Sequence, residues 1–249
     1  MWDDAKQLNA VAAGLALIAA GALIVGVLAW LFRQPVFEFR EVVLMKSPVR
    51  ASAAHLEAVI RDELSGTFFT MNLDRAQSAL MQVPWVRRAS LRRQWPQRLE
   101  VTIEEHEPLA RWNGDALVNV NGEVFSADFE GDLPQFEGTD ARSAEVTARH
   151  REWSAALGPL LLAVQQIRVS PRGGWRLRVT GPSGSLDIEL GRDEAGERLA
   201  RFIAVYGRTI GTLARAGTRI DRVDLRYRNG FAARVPEFHE RPAKKARAA

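Results

Sequence analysis

The sequence predicts an α+β protein held to a membrane by a single N-terminal transmembrane helix. Its body is predicted as a β-α-α-β-β module followed by a mixed β-sheet domain with two helices. Three observations carry this prediction. Residues 10–32 (AVAAGLALIAAGALIVGVLAWLF) form one uncharged apolar run of 23 residues, and nothing like it recurs. Two helical patterns then precede two alternating stretches, 86–95 and 98–107. Downstream, short alternating segments separated by Gly, Pro and Asn-Gly surround two amphipathic patterns.

At the rise of an α-helix the apolar run spans roughly 34 Å, enough for a hydrocarbon core of about 30 Å. A cleaved signal has a basic start, a shorter apolar stretch and a small-residue cleavage site. Here Asp3 and Asp4 stand beside Lys6, and the run ends in the bulky Trp30-Leu31-Phe32. This predicts an uncleaved anchor, with Trp30 and Phe32 placed as interfacial aromatics. Lys6 precedes the run, whereas Arg33, Arg40, Lys46 and Arg50 follow it. Taken alone, the positive-inside rule puts the body in the cytoplasm, although it is a weak guide for long domains. The absence of cysteine fits an oxidising compartment.

In the body, residues 38–45 are β-prone. Ser52 is placed as an N-cap, with Leu56, Val59, Ile60 and Leu64 at helical spacing and Ser65-Gly66 as the stop. Asn72 caps a shorter helix carrying Leu73, Ala76 and Leu80, and Pro84 ends it. In 86–95, Ala89, Leu91 and Trp95 share one face, and Arg88, Ser90 and Arg92 the other. In 98–107, Leu99, Val101 and Ile103 oppose Glu100, Thr102 and Glu104. Pro96-Gln97 is the turn between them, so pairing brings arginines opposite glutamates.

Pro108 marks a boundary. Asn121-Gly122 signals a hairpin between 116–120 and 123–126. Residues 131–138 read as a loop, followed by a helix with Val146, Trp153, Leu157, Leu160 and Leu161 on one face. Strands follow at 166–170, 175–180 and 185–190. A second helix carries Leu199, Phe202, Ile203, Tyr206, Ile210 and Leu213. The last strands are 220–227 and 231–235, split at Asn229-Gly230, and the basic tail 239–249 is predicted to be disordered.

Charged residues are 26% and hydrophobic residues 47%, which suits a folded body. The net charge of +4 comes from arginines intermixed with acids, without a basic helix or an aromatic stacking platform, which argues against nucleic acid as a partner. The four histidines, His55, His106, His150 and His239, form no HExxH pattern. With no cysteine, a structural zinc site is not expected, and no cofactor fingerprint appears. Glu104, Glu105 and Glu107 are the densest acidic cluster. Paired carboxylates there suit a membrane-anchored periplasmic cell-wall hydrolase using Glu104 or Glu105, with ion pairing as the plainer role. A binding or scaffolding protein is the better class.

Several stretches, in order, resemble the FtsQ/DivIB family of bacterial cell-division proteins. They are Pro84-Trp85-Val86, Arg93-Gln94-Trp95-Pro96, the run Leu99, Val101, Ile103 and Glu105, and Pro108-Leu109-Ala110-Arg111-Trp112. Gly122 and Phe125, Leu133-Pro134, Leu190-Gly191-Arg192, Arg198-Leu199-Ala200-Arg201-Phe202 and Asp224-Leu225-Arg226-Tyr227 continue the match. The resemblance implies a cytoplasmic N-terminus (1–9), an inner-membrane span (10–32), a POTRA domain (36–107) and a β domain (108–238). It places the body in the periplasm, against the charge count, and the protein at the division septum. It also implies a non-enzymatic divisome protein joining early to late division proteins. The implied partners are small single-span coiled-coil proteins of the FtsB and FtsL types, with other divisome proteins meeting the POTRA domain and the span.

A late strand at a sheet edge leaves unpaired N–H and C=O groups on which a partner can add a strand. Residues 219–227 are the candidate edge, with Val223 and Leu225 as apolar contacts and Tyr227 as anchor. Arg219, Arg222 and Arg226 are candidates to meet acidic partner side chains. The resemblance adds Arg172. Where the family commonly has an aromatic residue beyond the last turn this chain has Val235, and Phe231 stands in as the apolar contact. In the POTRA domain the strand near 39–44 is the candidate free edge.

Overall fold

The structure is a computed structural model describing residues 5–63 and 67–236. The predicted stop at Ser65-Gly66 and the basic tail lie outside those residues. The chain divides into two compact units, Met1–His106 and Glu107–Ala249.

The first unit begins with α1 (Ala5–Phe32). Its stretch Asn9–Phe32 is long and apolar enough to cross a membrane, and none of its side chains is buried. A helix that is apolar all round and unburied by its own protein fits a lipid solvent. After it come β1 (Glu41–Leu44), α2 (Ala53–Glu63), α3 (Leu73–Leu80), β2 (Val86–Gln94) and β3 (Arg98–Glu105). Ser52 Oγ accepts from the His55 amide at 3.3 Å, and Asn72 Oδ1 from the Arg75 amide at 3.0 Å, so both helices start at the predicted caps.

The sheet order is β1-β3-β2, with β1 parallel and β2 antiparallel to the central β3. The period of two sends Leu99, Val101 and Ile103 inward, against Leu56, Ile60, Ala76 and Leu80 of the helices. Each such fully buried aliphatic side chain contributes about 1.5–3 kcal/mol. On the outer face the register sets Arg88 opposite Glu104 and Arg92 opposite Glu100, and Glu104 pairs with the neighbouring Arg87 at 2.5 Å. One expectation fails. Trp95 does not continue the inward row of Ala89 and Leu91, because β2 ends at Gln94 and Trp95 enters the turn, 66% exposed.

The second unit contains β4 (Pro108–Trp112), β5 (Ala116–Asn119), β6 (Val124–Phe125), β7 (Gln135–Glu137), α4 (Ser143–Leu157), β8 (Ala163–Val169), β9 (Trp175–Gly181) and β10 (Gly184–Gly191). It closes with α5 (Ala195–Tyr206), α6 (Ile210–Arg215), β11 (Arg222–Asp224) and β12 (Ala232–Arg234). Nine strands form one mixed sheet in the order β12-β11-β10-β9-β8-β7-β4-β5-β6. The pairs β10–β11, β7–β8 and β4–β7 are parallel.

Val146, Trp153 and Leu157 of α4, Leu199 and Phe202 of α5, and Ile210 of α6 share one core with Trp175, Leu177, Val179, Ile188 and Leu190 of the sheet. The alternate positions carry charge. Arg178 pairs with Asp187 at 2.6 Å, Arg176 with Glu189 at 2.9 Å and Arg168 with Glu137 at 2.6 Å. At the predicted Asn121-Gly122 hairpin, Gly122 has φ +84° and lies so close to α4 that a Cβ would sit 2.5 Å from Ala144 Cα. Both the turn and the packing therefore require glycine.

Three further expectations are corrected. The predicted loop 131–138 contains β7, whose Phe136 is fully buried in mid-sheet. Leu161 does not share the α4 face, because Pro159 ends the helix and Leu161 turns outward at φ +59°. The predicted second helix is two helices, interrupted between Tyr206 and Ile210. Gly207, the C-cap of α5, is a poor helix residue, and Thr209 leaves helical geometry at φ −119°, ψ −97°.

Candidate partner-binding edge

The predicted edge segment 219–227 is not the edge. Its core, β11, is covered on one side by β10 and on the other by β12. Val223 is fully buried and Leu225 is 4% exposed, so both pack in the unit's own core. The terminal strand is β12, whose three residues are all exposed.

The hydrogen bonds fix which groups of β12 face outward. The Asp187 amide bonds the Asp221 carbonyl, and the Leu225 amide bonds the Glu189 carbonyl. The Asp221 carbonyl and the Leu225 amide therefore serve β10, while the Asp221 amide donates to the Arg234 carbonyl at 3.3 Å and Arg222 and Asp224 face β12. Arg222 lies opposite Arg234, and Asp224 opposite Ala232. By alternation, Ala232 and Arg234 pair inward, and the N–H and C=O of Ala233 face the side on which, among the described residues, no strand lies.

Where the chain enters β12, at Phe231, lies a groove of about 440 Å³, lined by Phe202 and Val205 of α5, Leu225, Tyr227, Phe231, Arg198 and Arg201. Its floor is aromatic: Phe202 meets Phe231 edge-on at 5.7 Å and Tyr206 at 5.6 Å. Tyr227 stands 58% exposed at its rim. Phe231 is half-buried against the core while it lines the groove.

The candidate arginines divide. Arg226 lies 2.6 Å from Asp224 and 3.2 Å from Glu189, and Arg222 lies 4.0 Å from Glu189. The Arg226 guanidinium holds Asp224 below the usual carboxylate range, and Asp224 in turn pushes Arg226 up. Both arginines thus brace their own sheet. Arg219 is exposed. Arg172 is exposed in the β8–β9 turn, beside Gly173, which approaches Arg192. Gly191, the last residue of β10, lies against Arg226 and Arg198, so the turn with Arg172 and the Arg226 braces occupy the same end of the sheet.

The groove's α5 lining and β12 itself were not among the residues that the sequence singled out. The Asn229-Gly230 hairpin signal did locate β12, but only the sheet order identifies it as terminal. The acidic pair does not converge. Glu104 and Glu105 are successive residues of β3 and point to opposite faces. Glu105 accepts the amides of Val49, Arg50 and Ala51 at 2.9, 2.8 and 2.6 Å. Burial pushes its carboxyl up, but the three amides and the Arg50 charge outweigh this and leave it below the usual range. Among the described residues, no group of three or more metal-ligating side chains occurs.

Residues 110–226 match the family described as Cell division protein FtsQ/DivIB, C-terminal, and residues 37–106 match POTRA domain, FtsQ-type. The chain is 36% identical over 242 residues to a Cell division protein FtsQ of Burkholderia pseudomallei, covering 94% of each chain. The chain belongs to the FtsQ/DivIB family. It is also 36% identical over 239 residues to the FtsQ of Nitrosospira multiformis, covering 94% of this chain and 99% of that one. The Bordetella pertussis relative is 32% identical over 278 residues, covering 98% and 100%. Membership of the FtsQ/DivIB family makes this a cell-division protein of the divisome, with a POTRA domain and, among the described residues, one candidate membrane span.

Proposed function

We propose that this chain is a non-enzymatic divisome scaffold that captures a small coiled-coil division protein by strand addition along β12. The observation that carries it is the terminal position of the exposed strand β12, entered from Phe231, which lines an apolar groove rimmed by Tyr227. Main-chain bonds to Ala233 supply register and affinity, and the groove takes an apolar partner side chain. Arg172 and Arg219, at the surface, meet acidic partner groups. The partners are FtsB-type and FtsL-type proteins. The N-terminus is cytoplasmic and the body periplasmic at the septal inner membrane, against the local basic count. The POTRA domain and the span engage further divisome proteins.

The test is Ala233→Pro. Proline removes one outward N–H, and proline is tolerated at sheet edges. Co-purification of the coiled-coil partners from detergent-solubilised cells should be lost while the purified variant keeps its unfolding temperature. Undiminished co-purification by a folded variant would sink the edge assignment.

A further inference from the structure

An aromatic collar joins the end of α1 to the turns of its own unit. Phe32, the last residue of the span, meets Phe69 at 4.7 Å between ring centroids. Phe69 also meets Phe37 and Phe68, each at 5.3 Å. Phe68 continues to Phe39 at 5.8 Å and edge-on to Trp95 at 5.7 Å. The backbone binds the same parts together. The hydroxyl of buried Thr67 donates to the Phe32 carbonyl at 2.6 Å, and the Phe68 amide to the Phe37 carbonyl at 2.7 Å. The side-chain amide of Gln97 donates to the Val36 carbonyl.

The collar leaves large apolar groups bare. Trp30, Val36 and Trp95 are each about two-thirds exposed, and Phe69 is 45% exposed. Single exposed hydrophobic residues need no explanation, but a connected set of aromatics does. Arg33 and Arg40, both exposed, flank it. Aromatic rings with a polar edge and arginines with long apolar stems are the side chains that settle at the boundary between lipid and water.

We propose that this collar is a lipid-binding surface. Phe69 and Trp95 sit in the interfacial layer of the leaflet from which the body emerges, and they seat the POTRA domain on the bilayer. Continuity with the span selects the occupant. Phe32 closes the apolar run at the hydrocarbon boundary, so a ring packed on Phe32 lies at that depth. The span then sets the orientation of the module as well as tethering it. β3, eight residues starting beside the Trp95 turn, rises roughly 25 Å to Glu105, which holds the Val49–Ala51 amides at the far end of the sheet.

The chain has no cysteine, so a single introduced thiol reports one place. The full chain carrying Phe69→Cys, Trp95→Cys or Val49→Cys is labelled with an environment-sensitive fluorophore. It is then reconstituted into phosphatidylcholine–phosphatidylglycerol vesicles containing spin-labelled lipid. Labels at positions 69 and 95 should emit at shorter wavelength and be quenched several-fold more than the label at 49. Gln94→Cys, which leaves every collar ring intact, should follow position 95 and covers the case in which removing a ring disturbs the fold. If labels at 69, 94 and 95 are as unquenched as at 49, the lipid assignment is overturned and a protein partner would cover the collar.

Discussion

β1 and β12 are both terminal strands, yet they are built differently. β1 loads its own domain: Val42, Val43 and Leu44 are half-buried, and Glu41 pairs with Arg98 of β3 at 2.8 Å. Arg40 and Lys46 guard its ends, as charges do on edges that are not meant to pair. β12 is Ala-Ala-Arg, exposed at all three residues and burying no side chain in its own unit, and Phe231 just before it lines an apolar groove. A strand that contributes so little to its own core has its backbone as its main asset. The contrast singles out β12 as the edge fitted to receive another strand, and it can be broken by substitution.

The largest effect is expected one strand inward. Leu225→Ala empties a core position and should destabilise the second unit by about 2–5 kcal/mol, read by urea unfolding of the detergent-solubilised chain. Any loss of partner should track the unfolded fraction. Loss of partner without destabilisation would return Leu225 to the contact surface and overturn the division between β11 and β12. Two residues on, Tyr227→Ala should do the reverse. Stability should stay within about 0.5 kcal/mol, because the ring is mostly exposed. Partner affinity should fall by about 2 kcal/mol, roughly thirtyfold, when measured by titration with the purified partner.

The same pair shows how far the sequence could be read. Val223, Leu225 and Tyr227 alternate as one face of one strand, and that pattern predicts a shared fate. The pleat ends at Asp224, however, so Leu225 still enters the core while Tyr227 leaves it. Long alternations such as β3, β9 and β10, and caps such as Ser52 and Asn72, were legible because their cause is local. β7 was not, since three residues around one phenylalanine show no period. Nor was the identity of the edge. The Asn229-Gly230 signal pairs β11 with β12, but which of the two joins β10 depends on a parallel pairing across α5 and α6, between residues far apart in sequence. The acidic cluster was legible as ion pairing for Glu104 but not for Glu105, whose partners are backbone amides and carry no residue-type signal.

The contrast between loaded and unloaded edges is sharpened by smaller changes. Leu44→Ala removes a half-buried side chain from β1 and should cost the first unit about 1–2 kcal/mol, less than a fully buried leucine would. Ala233→Ser on β12 should stay within about 0.5 kcal/mol. Equal costs in the two unfolding curves would mean that β12 also carries load and that its bareness has been misread.

A last comparison separates two ways of holding a carboxylate. Asp187 is held below its ordinary range by the Arg178 guanidinium at an exposed surface, so added salt should weaken that hold. Glu105 is held low by three amides, which salt screens far less. A depressed folded value means that the Glu105 contribution is present above its unfolded value of about 4.3 and is lost as pH falls through the folded one. Glu105→Gln should therefore destabilise the first unit by about 1 kcal/mol at pH 7, equally at low and high salt. The difference from the wild type should close at acid pH, where Glu105 itself is protonated. A deficit that shrinks with salt at pH 7 would instead make the Arg50 charge the dominant hold, and Glu105 would then differ from Asp187 only in position.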